Sequence, residues 1–376
     1  MFIVAHLDDD MIFMQPELAT ALASGSVTTV YVSSGDPVFG LARAEHTFEA
    51  AMTAYEHVTG SSDWDCGYLL VTEVPVHHCR LRDRPVSMIG LDVPDGGRYG
   101  ERPDSLLHLV EHAVPSLPVL GALGGRVTAD ALITELAEIV AVTAPHELHT
   151  LDIAGNHGDD HAGHLITAGF ALWAAARAGY AGMLVSHRGY NVANEVANLS
   201  DADYALVKPM LGYFEACYRR CAPCGTECAV LDSSHESWLR RQYASIASPV
   251  TEVAELGSDD APGACLGIDG DASLGLTDCT NPAALHLDDD RHLRAGELCA
   301  ASASGIDDVV TLMPCANDPA QYWLLDDEGF VANGRPPLGE ADMYFDHVRC
   351  LHAAPGTPAG APVCGSRLHP RWHRRS

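Results

Sequence analysis

The stretch Phe2-Ile3-Val4-Ala5-His6-Leu7-Asp8-Asp9-Asp10 decides how this chain is read. Its apolar start is the pattern of a short buried strand, and one imidazole and three carboxylates follow at once. A strand end followed by a turn can aim several such groups at one point. Neighbouring carboxylates repel, and either a bound divalent cation or solvent relieves that repulsion. A solvated turn that caps the next helix is the competing reading of the same triplet.

Working outward, residues 16–24 have a helical composition, and Val27-Thr28-Thr29-Val30-Tyr31-Val32 is a β-branched strand closed by Ser33-Ser34-Gly35-Asp36-Pro37. A long Ala-rich helix is expected from Ala42 to Val58, with Gly60 as its stop. The alternation continues through a helix over 128–142, a strand over 149–153 and a second Ala-rich helix over about 164–179. This β-α-β-α order predicts a Rossmann-like, mostly parallel sheet with helices on both faces. Ligands of such sheets gather at the carboxyl ends of the strands, where His6 lies.

The segment Asp152-Ile153-Ala154-Gly155-Asn156-His157-Gly158-Asp159-Asp160-His161-Ala162-Gly163-His164 also follows a strand and opens a helix. His161 and His164 are three apart and share a face on a helical turn. Catalytic zinc takes three protein ligands and keeps a position for water. His6, Asp9 and His164 satisfy that count. Asp8 is then free as the general base, and Asp10 reads as an outer carboxylate or a helix cap.

These residues resemble the LmbE-like or PIG-L-type N-acetylglucosaminyl de-N-acetylases, whose signatures are Ala-His-Pro-Asp-Asp-Glu and His-Pro-Asp-His. Here they read Ala5-His6-Leu7-Asp8-Asp9-Asp10 and His161-Ala162-Gly163-His164, with Gly163 at the family's aspartate. The continuation Phe13-Met14-Gln15-Pro16 is similar to the secreted branch. The stretches 31–36 and 91–96 look like further landmarks, and the likeness covers about residues 1–250. It implies that His6, Asp9 and His164 hold Zn2+, that Asp8 is the base, and that His161 steadies the oxyanion or protonates the leaving amine. A second register, with Asp160-His161 in the Asp-His slot, would make His161 the ligand. The helix expected right after His164 favours the first. Asp36 and Asp95 lie in loops expected to face the site, with Asp95 as a candidate sugar contact. The implied activity is a metal-dependent deacetylase, a hydrolase of linear amide C–N bonds acting on an amino-sugar glycoconjugate. A weak or inactive carbohydrate-binding protein of the same fold is the alternative.

After about residue 255 the helical runs stop. Six cysteines pair as 265 with 279, 299 with 315 and 350 with 364, at intervals of 14, 16 and 14 residues. The pairs start 34 and 51 residues apart, and Trp323 and Trp372 each follow a second cysteine by eight. The Cys-Leu pairs at 265–266 and 350–351 and Gln321-Tyr322-Trp323 resemble the ricin-type β-trefoil. An all-β unit over 262–376 is therefore expected after a deacetylase domain over 1–256, with the stretch 257–263 between them. The third repeat has Pro370 and Trp372 at the Gln-x-Trp places. The family's sugar-binding aspartates are replaced by Gly267, Ala301 and His352, so the resemblance implies the trefoil more firmly than its carbohydrate binding.

Composition bounds the partners. With 51 acidic residues against 22 Lys and Arg, the net charge of -29 excludes nucleic acid as an expected partner. No apolar run reaches the ~18–20 residues of a membrane span. Twelve cysteines, an even and high number, suit a disulfide framework and a secreted or extracytoplasmic protein. Met1 stands almost inside a strand, as it would if a signal segment had been trimmed away. Cys66 with Cys79, and the cluster Cys217, Cys221, Cys224 and Cys228, are read as disulfides rather than as a four-sulfur metal site.

Overall fold

The computed structural model describes residues 1–34, 40–72, 74–155, 157–249, 254–268, 273–280, 284–302, 309–335, 350–355, 358–360 and 371–375. Asp36, Cys364 and Pro370 lie outside them.

The apolar opening forms β1 (Phe2–Val4), and the β-branched run forms β2 (Val27–Ser33). The strands β3 (Trp64–Leu70), β4 (Pro75–Leu81), β5 (Val86–Val93), β6 (Leu117–Pro118), β7 (Arg126–Val127), β8 (Glu147–Leu151), β9 (Met183–His187) and β10 (Ala244–Ala247) follow. All but the small β6–β7 hairpin join one eight-stranded sheet, ordered β10-β9-β8-β1-β2-β5-β4-β3. The centre, β9-β8-β1-β2-β5, is parallel, whereas the edge pairs β10–β9, β5–β4 and β4–β3 are antiparallel. The hairpin β3–β4 pairs Cys66 directly with Cys79, and these two form a disulfide.

The helices are α1 (Asp9–Phe13), α2 (Glu17–Ser24), α3 (Gly40–Thr59), α4 (Leu106–Val110), α5 (Ala129–Thr143), α6 (Ala162–Arg177), α7 (Asp201–Arg219) and α8 (Ser233–Leu239). They fall into two packed groups, α2 and α7 on α3, and α4 and α5 on α6. Gly60 ends α3 at φ +69°, the left-handed conformation that glycine adopts without penalty. The Ala-rich α6 is buried along nearly its whole length against β1 and β8. From β1 the chain winds outward to β2 and β5, and from β8 it winds the other way to β9. The carboxyl ends of β1 and β8 therefore flank the point where the winding reverses, the place where open α/β sheets form a crevice.

The second sheet opens with β11 (Ala254–Ser258) and continues through β12 (Ala264–Ile268), β13 (Leu274–Asp278), β14 (His286–Leu287), β15 (Leu293–Ala295), β16 (Leu298–Ser302) and β17 (Val310–Pro314), all antiparallel. The pair β18 (Leu324–Leu325) and β19 (Val331–Ala332) stands apart, and β20 (Trp372–Arg375) closes onto β11. Residues 257 and 258, expected in a connector, thus belong to a paired strand; the change of sheet falls between Ala247 and Ala254. Cys265–Cys279 closes the hairpin β12–β13, and Cys299–Cys315 closes β16–β17. The repeat has a physical core. Trp323 Nε1 donates to the carbonyl of Ala300, and Trp372 Nε1 to that of Leu351, in each case the residue after a repeat's first cysteine.

The two parts of the chain meet through α6 and the connecting loops. Trp173 Nε1 donates to the Asn333 carbonyl at 2.9 Å, and Tyr322, Phe330 and Ala332 join the first domain's apolar core. His157 bridges Asp152 at 2.6 Å and Glu328 at 3.1 Å, and Arg188 also holds Glu328 at 3.0 Å. Burial disfavours charged His157, but these two carboxylates outweigh it and raise the imidazole to about 9. At Gly169 the backbones of α6 and of Gly334 touch, and a Cβ there would overlap the Gly334 carbonyl oxygen. Gly169→Ala is therefore expected to destabilise the protein by about 1–3 kcal/mol through overpacking. The shift of the urea unfolding midpoint reads this, and an unchanged midpoint would contradict the contact.

Candidate metal centre

His6 and Asp9 flank the turn that links β1 to α1. The carboxylate of Asp9 folds back to accept the His6 backbone N–H at 2.7 Å, which fixes both side chains. His164 arrives from the first turn of α6 and is fully buried. Its Nε2 lies 3.1 Å from His6 Nδ1 and 3.1 Å from Asp9 Oδ1, and His6 Nδ1 lies 3.4 Å from the same oxygen.

Hydrogen-bond partners assign the ring protons. His164 Nδ1 faces Asp160 Oδ1 at 2.8 Å, so Nδ1 carries hydrogen and Nε2 presents a lone pair. His6 Nε2 faces Asp95 Oδ1 at 3.0 Å, which leaves Nδ1 as the lone pair. Three electron-rich atoms then point at one another across 3.1–3.4 Å. Ligands of a tetrahedral ion with bonds near 2.0–2.1 Å stand about 3.3 Å apart, so this triangle fits such a cation. Asp160 behind His164 is the carboxylate expected behind a metal-binding imidazole. Protons compete for the same place. Against burial, Asp9 and Asp160 raise His164 to about 9, Asp9 and Asp95 hold His6 well above the usual imidazole value, and the two imidazoles keep Asp9 below the carboxylate range. Metal uptake here would release protons.

His161 differs. The ligand atoms of His6, His161 and His164 lie within 4.8 Å of one another, but His161 caps α6 and its Nδ1 accepts the Gly163 N–H at 3.0 Å. Its ring proton is therefore on Nε2, 3.4 Å from Asp95 Oδ1, so the nitrogen it turns to Asp95 is a donor. A Cβ at Gly163 would already stand 3.0 Å from His161 Nδ1, so the departure at that position gives His161 its room.

Asp8 is half-buried, its carboxylate makes no hydrogen bond among the described residues, and it faces a cavity of about 760 Å³. Burial and the adjacent Asp9 push its carboxyl up. His6, Asp95, His161, Tyr190, Arg43 and His235 line the same cavity. The expectation that Asp10 caps the helix is corrected: Asp8 stands at the N-cap, and Asp10 turns inward to accept the hydroxyls of Tyr31 at 3.0 Å and Tyr55 at 2.5 Å. Burial raises the Asp10 carboxyl to about 7 despite those donors. His157 is not in the group, since it faces Asp152 and Glu328. Sequence reasoning did not single out Tyr190, Arg43 or His235. Each stands outside any motif, and only the fold brings it to the cavity.

No protein-family model matches this sequence, and no curated protein does. Among the solved structures that resemble part of the chain are two with a bound sugar. One is a non-toxic homologue of type II RIPs from Momordica charantia (bitter gourd), in complex with α-methyl-D-galactoside. It is 14% identical, covers 33% of this chain and has a TM-score of 0.27; this chain covers about half (48%) of its length. The other is the Vibrio vulnificus hemolysin/cytolysin β-trefoil lectin with N-acetyl-D-lactosamine bound. It is 16% identical, covers 32% of this chain and 92% of its own, and has a TM-score of 0.26.

Among the described residues no helix is long and apolar enough to cross a membrane. Among the described residues five disulfides are formed, including Cys217–Cys224 and Cys221–Cys228. They are consistent with an extracellular protein.

Proposed function

We propose that the first domain is a zinc-dependent hydrolase that removes an N-acetyl or N-acyl group from an amino sugar of the N-acetylglucosamine type. The observation that supports this is the triangle of His6 Nδ1, Asp9 Oδ1 and His164 Nε2 at the edge of a cavity of about 760 Å³. That volume is within the ~300–1,000 Å³ of small-ligand sites. Zinc held there would polarise the acyl carbonyl and lower the pKa of a bound water to about 7. The chain's own residues do the rest. Asp8, with no hydrogen bond to satisfy, takes the proton of the attacking water. His161 donates its Nε2–H to the carbonyl oxygen as negative charge develops. Asp95 orients His6 and His161 together and faces the sugar.

The second reading is carbohydrate binding through the C-terminal unit. It is favoured by the repeated cysteine hairpins with tryptophans buried at matching places. The experiment is acetate release from N-acetylglucosamine conjugates by the zinc-loaded chain, alongside metal analysis and a glycan array. About one zinc per chain with acetate release is the expected result. A folded, zinc-loaded protein that binds glycans and releases no acyl group overturns the hydrolase reading in favour of the second.

A further inference from the structure

The departing amine needs a proton, and the ring of His161 is poorly placed to give one up. Its Nδ1 accepts the Gly163 N–H, so Nε2 carries its single proton; releasing it would leave an imidazolate. A second imidazole stands in the same cavity. His235 lies on α8, which packs on α1 and α7. The ring of Trp238, also on α8, stacks on Tyr190 at 4.5 Å and leans on Phe13 at 6.0 Å, so the helix is tied to the wall of the site.

Behind His235 is a buried carboxylate. Glu215, on α7, is 1% exposed, and its Oε1 accepts the His235 Nδ1–H at 2.7 Å while the backbone N–H of Asp232 donates to both oxygens. The carboxylate therefore fixes which nitrogen faces it. Nε2 is left for the cavity, where it has no partner among the described residues. We propose that His235, braced by Glu215, is the proton donor to the leaving amine in the amide hydrolysis proposed above.

This inference rests on that hydrolase reading, and the step balances within it. Water oxygen bonds to the acyl carbon, its proton passes to Asp8, and the carbonyl π pair moves onto oxygen. The pair then returns, the C–N bond breaks with its electrons on nitrogen, and nitrogen takes the proton from His235 Nε2. Solvent exchange between protonated Asp8 and neutral His235 restores both. The charges around His235 suit a cationic donor: Asp8 at the cap of α1, Glu215 and Arg219 from α7, Asp232 at the cap of α8, and Asp95, His6 and Arg43 around the cavity. Arg219 is paired to Asp232 at 2.9 Å. Burial lowers the imidazole, but Glu215 and Asp8 raise it above its ordinary value.

The test compares His235→Gln with the unaltered zinc-loaded chain on an N-acetyl amino sugar and on an aryl ester of the same acyl group, whose phenolate leaves without help. Loss of about 10²-fold or more in kcat on the amide, with a loss under about tenfold on the ester, is expected of a missing leaving-group acid. Equal losses on both substrates overturn the donor role. An independent readout needs no turnover: in metal-free protein, imidazole NMR should show the His235 midpoint falling in Glu215→Gln. A midpoint that does not move overturns the dyad. Acyl release by the unaltered chain with His235→Gln at full rate removes only this inference. Failure of the unaltered chain to release any acyl group, with the NMR shift intact, removes the hydrolase reading and the donor role with it.

Discussion

His164→Ala is expected to yield a folded protein that holds no zinc and shows no turnover. His164 supplies one of three converging lone pairs, and its Nε2 stands 3.1 Å from each of the other two donor residues. Without it, His6 and Asp9 remain as a two-ligand site, below the three protein ligands of catalytic zinc. Its neighbour Asp160, wholly buried, keeps the backbone N–H groups of His161 and Tyr190 but loses the imidazole at 2.8 Å. Loss of an outer carboxylate alone costs about 10–100-fold in metal affinity, so loss of the ligand itself should exceed that. Elemental analysis after dialysis reads the outcome directly. A purified His164→Ala chain that keeps stoichiometric zinc would show that the metal is held elsewhere.

Asp8→Asn should separate binding from chemistry. The Asp8 carboxylate accepts no hydrogen bond among the described residues, and its place at the N-cap of α1 is filled without a side-chain cap bond, so the near-isosteric amide leaves the turn intact. Zinc should stay near one per chain while acyl release falls by about 10²-fold or more, the usual cost of losing a positioned base. Most of the activity surviving in a folded, metal-loaded Asp8→Asn protein would sink the assignment of Asp8.

The first strand was legible because four apolar residues ending in a cluster of ligand-type groups have few other uses. Of the central parallel strands, β1, β2 and β8 follow from alternating periodicities, as do α2, α3, α5 and α6, whereas β5 and β9 do not stand out in the sequence. The antiparallel edges β3, β4 and β10 did not, since a hairpin such as β3–β4 is set by pairing partners and a disulfide rather than by a local pattern. In the sequence, a helix expected right after His164 favours that residue over His161; the helix starts at Ala162, with His161 as its cap. Ring tautomers distinguish the two, and these depend on Asp160 and the Gly163 N–H, which no spacing rule reports. The Glu215–His235 pair was illegible for a related reason. Its members are twenty residues apart on different helices and meet only because the chain doubles back between α7 and α8.

That doubling back is stitched by Cys217–Cys224 and Cys221–Cys228, two interlaced links at the end of α7, each joining cysteines at a sequence separation of 7. Thiol reductants common in purification buffers cut such stitches. On the hydrolase reading proposed above, a preparation made in a reducing cytosol would keep the His6–Asp9–His164 triangle but lose the cross-links of the connection leading to the helix that bears His235, and weak activity would then have a cause unrelated to the metal.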